Sequence, residues 1–204
     1  MRRLSFALLI VMINSLNLYG QSLEVIYEMS SYNGLITDEL RLITNENESQ
    51  FIYKIKAKNI DYEGMNLLRG KRKFITNYSN NNTEFTEYAY KNKNIYSASW
   101  TNDEYTWSIT DDTETILDYK VIKAYLDDKD MGKVYAWFAP DIPISSGPYR
   151  YTGLPGLILK LEYEDINTEF VVKSIHTADS VSIETINEPK AINISKAEMV
   201  KNDF

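Results

Sequence analysis

The chain has 204 residues with 22 Lys and Arg against 29 Asp and Glu, a net charge of −7 and no cysteine. That length makes one domain with a real core and is short for two. The acidic balance argues against nucleic acid and against anionic lipid as electrostatic partners. The missing thiols remove disulfides, Cys nucleophiles and Cys-based zinc sites, and a single histidine, His176, leaves too little for a His-based metal site; a Ser-His-Asp triad would have to use His176, and no G-x-S-x-G elbow surrounds a serine.

Residues 1–20 read as a secretory signal peptide. Arg2 and Arg3 precede an apolar run from Leu4 to Ile13, and Gly20 is the small residue before the cut. The run is too short to cross a bilayer, so no transmembrane segment is expected once the leader is removed. Cleavage leaves 20 basic residues against 29 acidic ones, a net charge of −9. Residues 21–204 then form one exported domain, placed in the periplasm, at the outer membrane or in the medium.

Sixteen tyrosines favour strands, because the ring packs on a half-buried sheet while the hydroxyl stays wet. Alternation predicts strands over 23–30, 35–43 and 49–57, with Asn33-Gly34 and the polar 45–48 as turns. Residues 58–82 read as a long hairpin with Lys71, Arg72 and Lys73 on a solvated face. Strands follow over 83–90, 94–100 and 105–109. The acidic start of 111–116 suggests a short helical turn. Residues 117–126 and 133–139 form a hairpin around the polar turn 127–132, which resembles a calcium loop but lacks its closing acid. Strands over 157–163, 169–175 and 181–186 complete the set, and Ser195 caps a helix over 196–201. The fold expected is mainly β: a single curved antiparallel sheet, half-barrel or sandwich-like, with one or two short helices.

Residues 140–156 hold four of the five prolines and three of the eight glycines. Pro155-Gly156 predicts a type II turn with positive φ at Gly156. Gly147-Pro148 is a second corner. Asp141 and Arg150 are the segment's only charges and are placed to pair, while Trp137, Tyr149 and Tyr151 surround them. The segment reads as a rigid cross-connection. It is also the best candidate for a ligand or partner site, with Trp137, Asp141, Tyr149, Arg150 and Tyr151 as a preordered rim and Arg150 recognising a carboxylate or phosphate.

Gly153, Leu154, Pro155, Gly156, Leu157 and Ile158 spell GLPGLI. Together with Trp107-Ser108-Ile109, the block 115–124, Ala136-Trp137-Phe138, the Asp141 to Ile144 run and Gly147-Pro148, they resemble the GLPGLI family of Bacteroidetes exported proteins over about 105–161. The family's central block often carries Cys where this chain has Val121. The resemblance implies a cell-envelope protein of uncharacterised function, with no activity, cofactor or catalytic residue attached. A more distant likeness to periplasmic lipoprotein carriers implies a curved sheet able to hold an acyl chain.

These readings converge on a non-catalytic envelope module that binds a lipid or peptide ligand or an outer-membrane protein, with no cofactor and no metal. The alternatives are a hydrolase using carboxylates such as Asp141, Glu162 and Glu164, and a structural accessory of an outer-membrane transporter.

Overall fold

A computed structural model describes residues 22–31, 36–54, 70–89, 93–178, 183 and 186–201. The expected leader, the Asn33-Gly34 turn, all of 55–69 and most of the 181–186 strand lie outside the described residues. Within them the chain is nearly all β. The strands are β1 (Ser22–Ser31), β2 (Ile36–Thr44), β3 (Glu48–Lys54), β4 (Gly70–Asn77), β5 (Asn82–Ala89), β6 (Asn94–Thr101), β7 (Ser108–Ile116), β8 (Tyr119–Asp128), β9 (Gly132–Ala139), β10 (Leu157–Tyr163), β11 (Thr168–Ala178) and the two-residue β12 (Ile192–Asn193). One helix, α1 (Lys196–Lys201), follows where the Ser195 cap predicted it. Ser195 and Glu198 bond reciprocally, a capping box that satisfies the first orphan donors.

All twelve strands form one sheet in the order β12-β6-β5-β4-β3-β2-β1-β11-β10-β9-β8-β7. Two antiparallel meanders, β1–β6 and β7–β11, are joined where β1 pairs with β11, from Ser22 opposite Ala178 to Ser30 opposite Glu169. The connection from β6 to β7 fixes the shape. These strands stand ten steps apart, about 48 Å on a flat sheet. Residues 102–107 reach only about 25 Å when fully extended. The sheet must therefore curl until its two ends nearly meet, leaving a half-barrel whose open seam is crossed by this short link.

Alternation places the core inside the curl. On β1, Leu23, Val25, Tyr27 and Met29 are buried while Glu24 and Glu28 face out. Strand pairing sets Val25, Leu42, Phe51, Phe74, Phe85 and Ala98 in one inward row across six strands. Phe51 and Phe170 belong to strands separated by two others, yet their ring centroids are 6.4 Å apart. Such convergence is what a tightly curved inner face produces. Arg72 turns into this face rather than joining Lys71 outside, and its Nε donates to Glu87 at 3.0 Å.

Two local expectations fail. Residues 111–116 are strand, not helical turn, because their ladder to β8 outweighs the acidic signal. The hairpin turn lies at Leu117-Asp118, both with positive φ (47° and 65°), where the Leu-Asp pair carries no turn signature. An exposed Leu in this region costs about 1 kcal/mol relative to Asn or Gly. The double substitution Leu117→Asn, Asp118→Gly is therefore expected to raise stability by about 1 kcal/mol in urea unfolding.

Candidate functional site

The segment between β9 and β10 enters the curl instead of lying across its rim. Residues 142–146 fold back along the start of β10: Leu157 N–H donates to Ile142 O at 2.9 Å and Ile158 N–H to Ser146 O at 2.8 Å. Tyr27 Oη, on the sheet's central strand, donates to Ile158 O at 2.6 Å. These bonds hold Tyr149, Arg150 and Tyr151 inside the shell, each almost fully buried. The Tyr149 ring lies 4.7 Å from Phe74 on β4 and 6.4 Å from Phe170 on β11. A residue that touches both strands at once fills the hollow between them. Tyr149 holds φ at 63°, a conformation that persists only because its ring and its hydroxyl, aimed at Met199 of α1, are packed in place.

Arg150 lies at the centre of a polar knot. Its Nη2 donates to Asp128 Oδ2 at 2.9 Å, and Asp130 stands 3.9 Å from Nη1. Tyr151 Oη donates to the same Asp128 oxygen at 3.0 Å. Asp128 Oδ1 accepts the backbone N–H of Asp130 and Met131, closing the β8–β9 turn. The Tyr105 ring, on the seam link, lies 5.5 Å from Tyr151, and Trp107 Nε1 donates to Thr152 O at 2.8 Å. The link is thus stitched to the plug it crosses.

Burial works against the charge on Arg150, but Tyr151, Tyr105 and Asp128 carry its pKa upward, so the guanidinium stays protonated. Burial raises Tyr151, with Arg150 pulling partly back, and pushes Tyr105 up to about 12. It also lifts Tyr27 and Tyr163 well above 10. All four ionise near 10 in the unfolded chain, so above pH 10 the folded state holds protons that the unfolded state has lost. Their stabilising contribution is complete below pH 10 and drains away as pH rises, by about 1.4 kcal/mol per unit for each. A tyrosinate absorbance titration is expected to show these four tyrosines still protonated where the unfolded chain has ionised. They should then ionise in a single cooperative unfolding step at higher pH.

The expected rim is therefore divided. Tyr149, Arg150 and Tyr151 come together, but inside. Arg150 pairs with Asp128 and Asp130, not with Asp141, which sits on the exposed turn after β9. Trp137 points to the opposite face of β9 from Ala136 and Phe138. Lys160 Nζ lies 4.3 Å and Lys123 Nζ 5.3 Å from its ring centroid. Asp128, Tyr105 and Tyr163 complete the cluster and were missed. Parity could have found the first, since Ala124, Leu126 and Asp128 share one side of β8.

The glycines of the motif also exchange roles. Positive φ belongs to Gly153 (98°), on the surface, and not to Gly156. Gly156 is needed for close approach: an added Cβ would lie 2.3 Å from Ala139 O and 2.8 Å from its carbonyl carbon. At Gly147 it would lie 2.7 Å from the Ile158 side chain. Pro148, Leu154, Leu157 and Ile158 are buried and Pro155 is exposed.

One recess lies at the β10–β11 hairpin, about 420 Å³, lined by Ser30, Glu162, Tyr163, Glu164, Asn167, Thr168 and Glu169. Glu164 accepts from Tyr135 Oη at 2.9 Å and Glu169 from Ser30 Oγ at 3.1 Å, while Glu162 faces Lys160 at 3.7 Å. Among the described residues no cluster of His, Cys, Asp and Glu could hold a metal, and no helix is long and apolar enough to cross a membrane.

A family model described as a protein of unknown function, Porph_ging, matches residues 127–160, from Asp127 at the end of β8 to Lys160 on β10. No curated protein matches. Among solved structures, PNGF-II is similar in two crystal forms, with TM-scores of 0.60 and 0.57 at 16% and 19% identity. Each alignment covers 90% of this chain but only 33% and 32% of PNGF-II, so the chain spans about a third of that protein's length. An uncharacterized conserved protein from Thermus thermophilus aligns over 93% of this chain and 99% of its own, with a TM-score of 0.46 and 5% identity. The chain thus shares its fold with part of PNGF-II and carries the Porph_ging pattern across the plug.

Proposed function

We propose that the chain is an exported cell-envelope module without catalysis of its own, which binds a protein partner through the outside of a rigid, self-filled β shell. The observation that carries this reading is the plug. The concave face that would hold an acyl chain or peptide is occupied by Tyr149, Arg150 and Tyr151, and the Arg150 guanidinium, the group expected to recognise an anion, is spent on Asp128. An enclosed ligand would have to displace these groups, so a partner at the surface is favoured. The leader-like residues 1–20 and the GLPGLI resemblance support export to the periplasm or the outer membrane. The GLPGLI stretch itself, residues 153–158, runs from the plug into β10.

The test is native mass spectrometry of residues 21–204 purified from an envelope extract, beside an Arg150→Ala form. The bare mass is expected from the first. A lipid or peptide mass retained by it and lost from the variant would restore the enclosed-ligand reading and overturn this one.

A second reading, a carboxylate-dependent hydrolase, draws on the recess that gathers Glu162, Glu164 and Glu169. Paired carboxyls across an opening are what glycoside hydrolysis requires. Turnover of a glycan or glycopeptide panel, lost in both Glu162→Gln and Glu164→Gln, would favour it over the binding module.

A further inference from the structure

One edge of the half-barrel lies at β7, and we infer that its last four residues, 113–116, dock a basic, extended segment of a partner protein by strand addition. This deepens the binding-module reading and rests on it. Among the described residues β7 pairs with β8 on one side and with nothing on the other. A strand in that position presents outward-facing N–H and C=O groups that a further strand can take up.

Three observations define the occupant. First, residues 108–118 carry Asp111, Asp112, Glu114 and Asp118 and no lysine or arginine. Nearly all of them are exposed on both faces, so these carboxylates do not serve the core. Second, the edge is half closed. Residues 110–112 stand opposite Lys123 alone, and Thr110 Oγ1 donates to Lys123 O at 3.1 Å. This bulge bends the strand away from further pairing, so the regular ladder available runs from Thr113 to Ile116. Third, Leu117, just beyond it, is one of the few large apolar side chains exposed among the described residues, at 43%.

Acids and a bulge are what blunts an edge against self-pairing. A second copy would bring two rows of carboxylates together on chains that are both acidic, so it is excluded. A segment with lysine or arginine on alternate positions gains where a second copy loses. An apolar residue at its end can cover Leu117. The same composition therefore rejects one partner and selects another.

The test uses residues 21–204 with a synthetic peptide of alternating Lys and Val, about nine residues long, and its Glu-Val counterpart. Amide hydrogen exchange and fluorescence anisotropy are followed. Alternate amides within 113–116 are expected to slow several-fold with the Lys-Val peptide and not with the Glu-Val one. Affinity should fall about tenfold in the double variant Asp112→Lys, Glu114→Lys, and should fall with salt in the wild type. Both substituted positions are exposed, and an unchanged melting curve confirms that the variant folds. Binding that leaves 113–116 unprotected, equal protection by both peptides, or a self-dimer formed through β7 would overturn the inference. Protection of β7 beside a retained lipid mass would leave the docking edge standing while the closed-core reading fell. A bare protein with no protection would do the reverse.

Discussion

Asp128→Ala is expected to destabilise the folded chain by about 3–5 kcal/mol, measured as the loss of unfolding free energy in urea. One carboxylate does three things in the structure. It neutralises Arg150, whose side chain is fully buried, accepts the Tyr151 hydroxyl, and ties the turn to β9 through two backbone N–H groups. Removing it leaves a buried guanidinium with Asp130 at 3.9 Å as its nearest anion. Water cannot reach that charge to compensate. Arg150→Met is expected to cost less. It keeps most of the packing volume, and the abandoned carboxylate retains a tyrosine and two amides. The double variant Asp128→Asn, Arg150→Met should recover part of the loss, because a pair that interacts does not add. If Asp128→Ala melted with the wild type, the polar knot would not be holding the plug.

Gly156→Ala is expected to cost about 3 kcal/mol or more, at the upper end of overpacking penalties, because the obstructing atoms are the backbone carbonyl of Ala139 and not a yielding side chain. Gly153→Ala should cost nearer 1 kcal/mol. Its φ of 98° strains any side chain, but the nearest atom to a new Cβ is 3.6 Å away. The order of the two separates the physical reasons. A type II turn at Pro155-Gly156 would make alanine costly through dihedral strain, whereas close approach makes it costly through contact. Thermal unfolding of both variants checks this, and a milder effect at Gly156 than at Gly153 would return the turn explanation.

Those glycines show where the sequence could be read and where it could not. Alternation along single strands is local, so Leu23, Val25, Tyr27 and Met29 announce their own shared face, and the curved antiparallel sheet follows from many such runs. The helix 196–201 was legible because Ser195 and Glu198 satisfy a rule written in four residues. The side of the sheet on which 140–156 lies is not local. It depends on the curl, and the curl is imposed by the short span between β6 and β7. An aromatic, Pro/Gly-rich segment therefore reads equally well as an exposed rim or as an interior plug. Arg150 shows the difference most sharply: its charge suggested a partner outside, and its partner is Asp128, 22 positions earlier and on the buried side of its strand. Trp137 was misplaced for a related reason. Its aromatic character suggested recognition, while its parity on β9 set it between two lysines on the far face.

The pairing of β1 with β11 has a consequence for the order in which the molecule can be made. Synthesis runs from the N-terminus, and β1 can zip to β2 at once, but its other edge waits for residues 168–178. At 5–20 residues per second that delay is roughly 10–30 s. Throughout it, the strand destined for the middle of the sheet is an open edge bearing Leu23, Val25, Tyr27 and Met29. The first meander cannot finish its core alone, since Tyr149 and Phe170, which fill its hollow, are not yet built. Folding is thus deferred until nearly the whole chain exists, and the high sequence separation of this one pairing makes it slow even then. A nascent chain of this design stays open and threadable for as long as it is growing, and its hazard in that interval is sticking to another growing copy through β1.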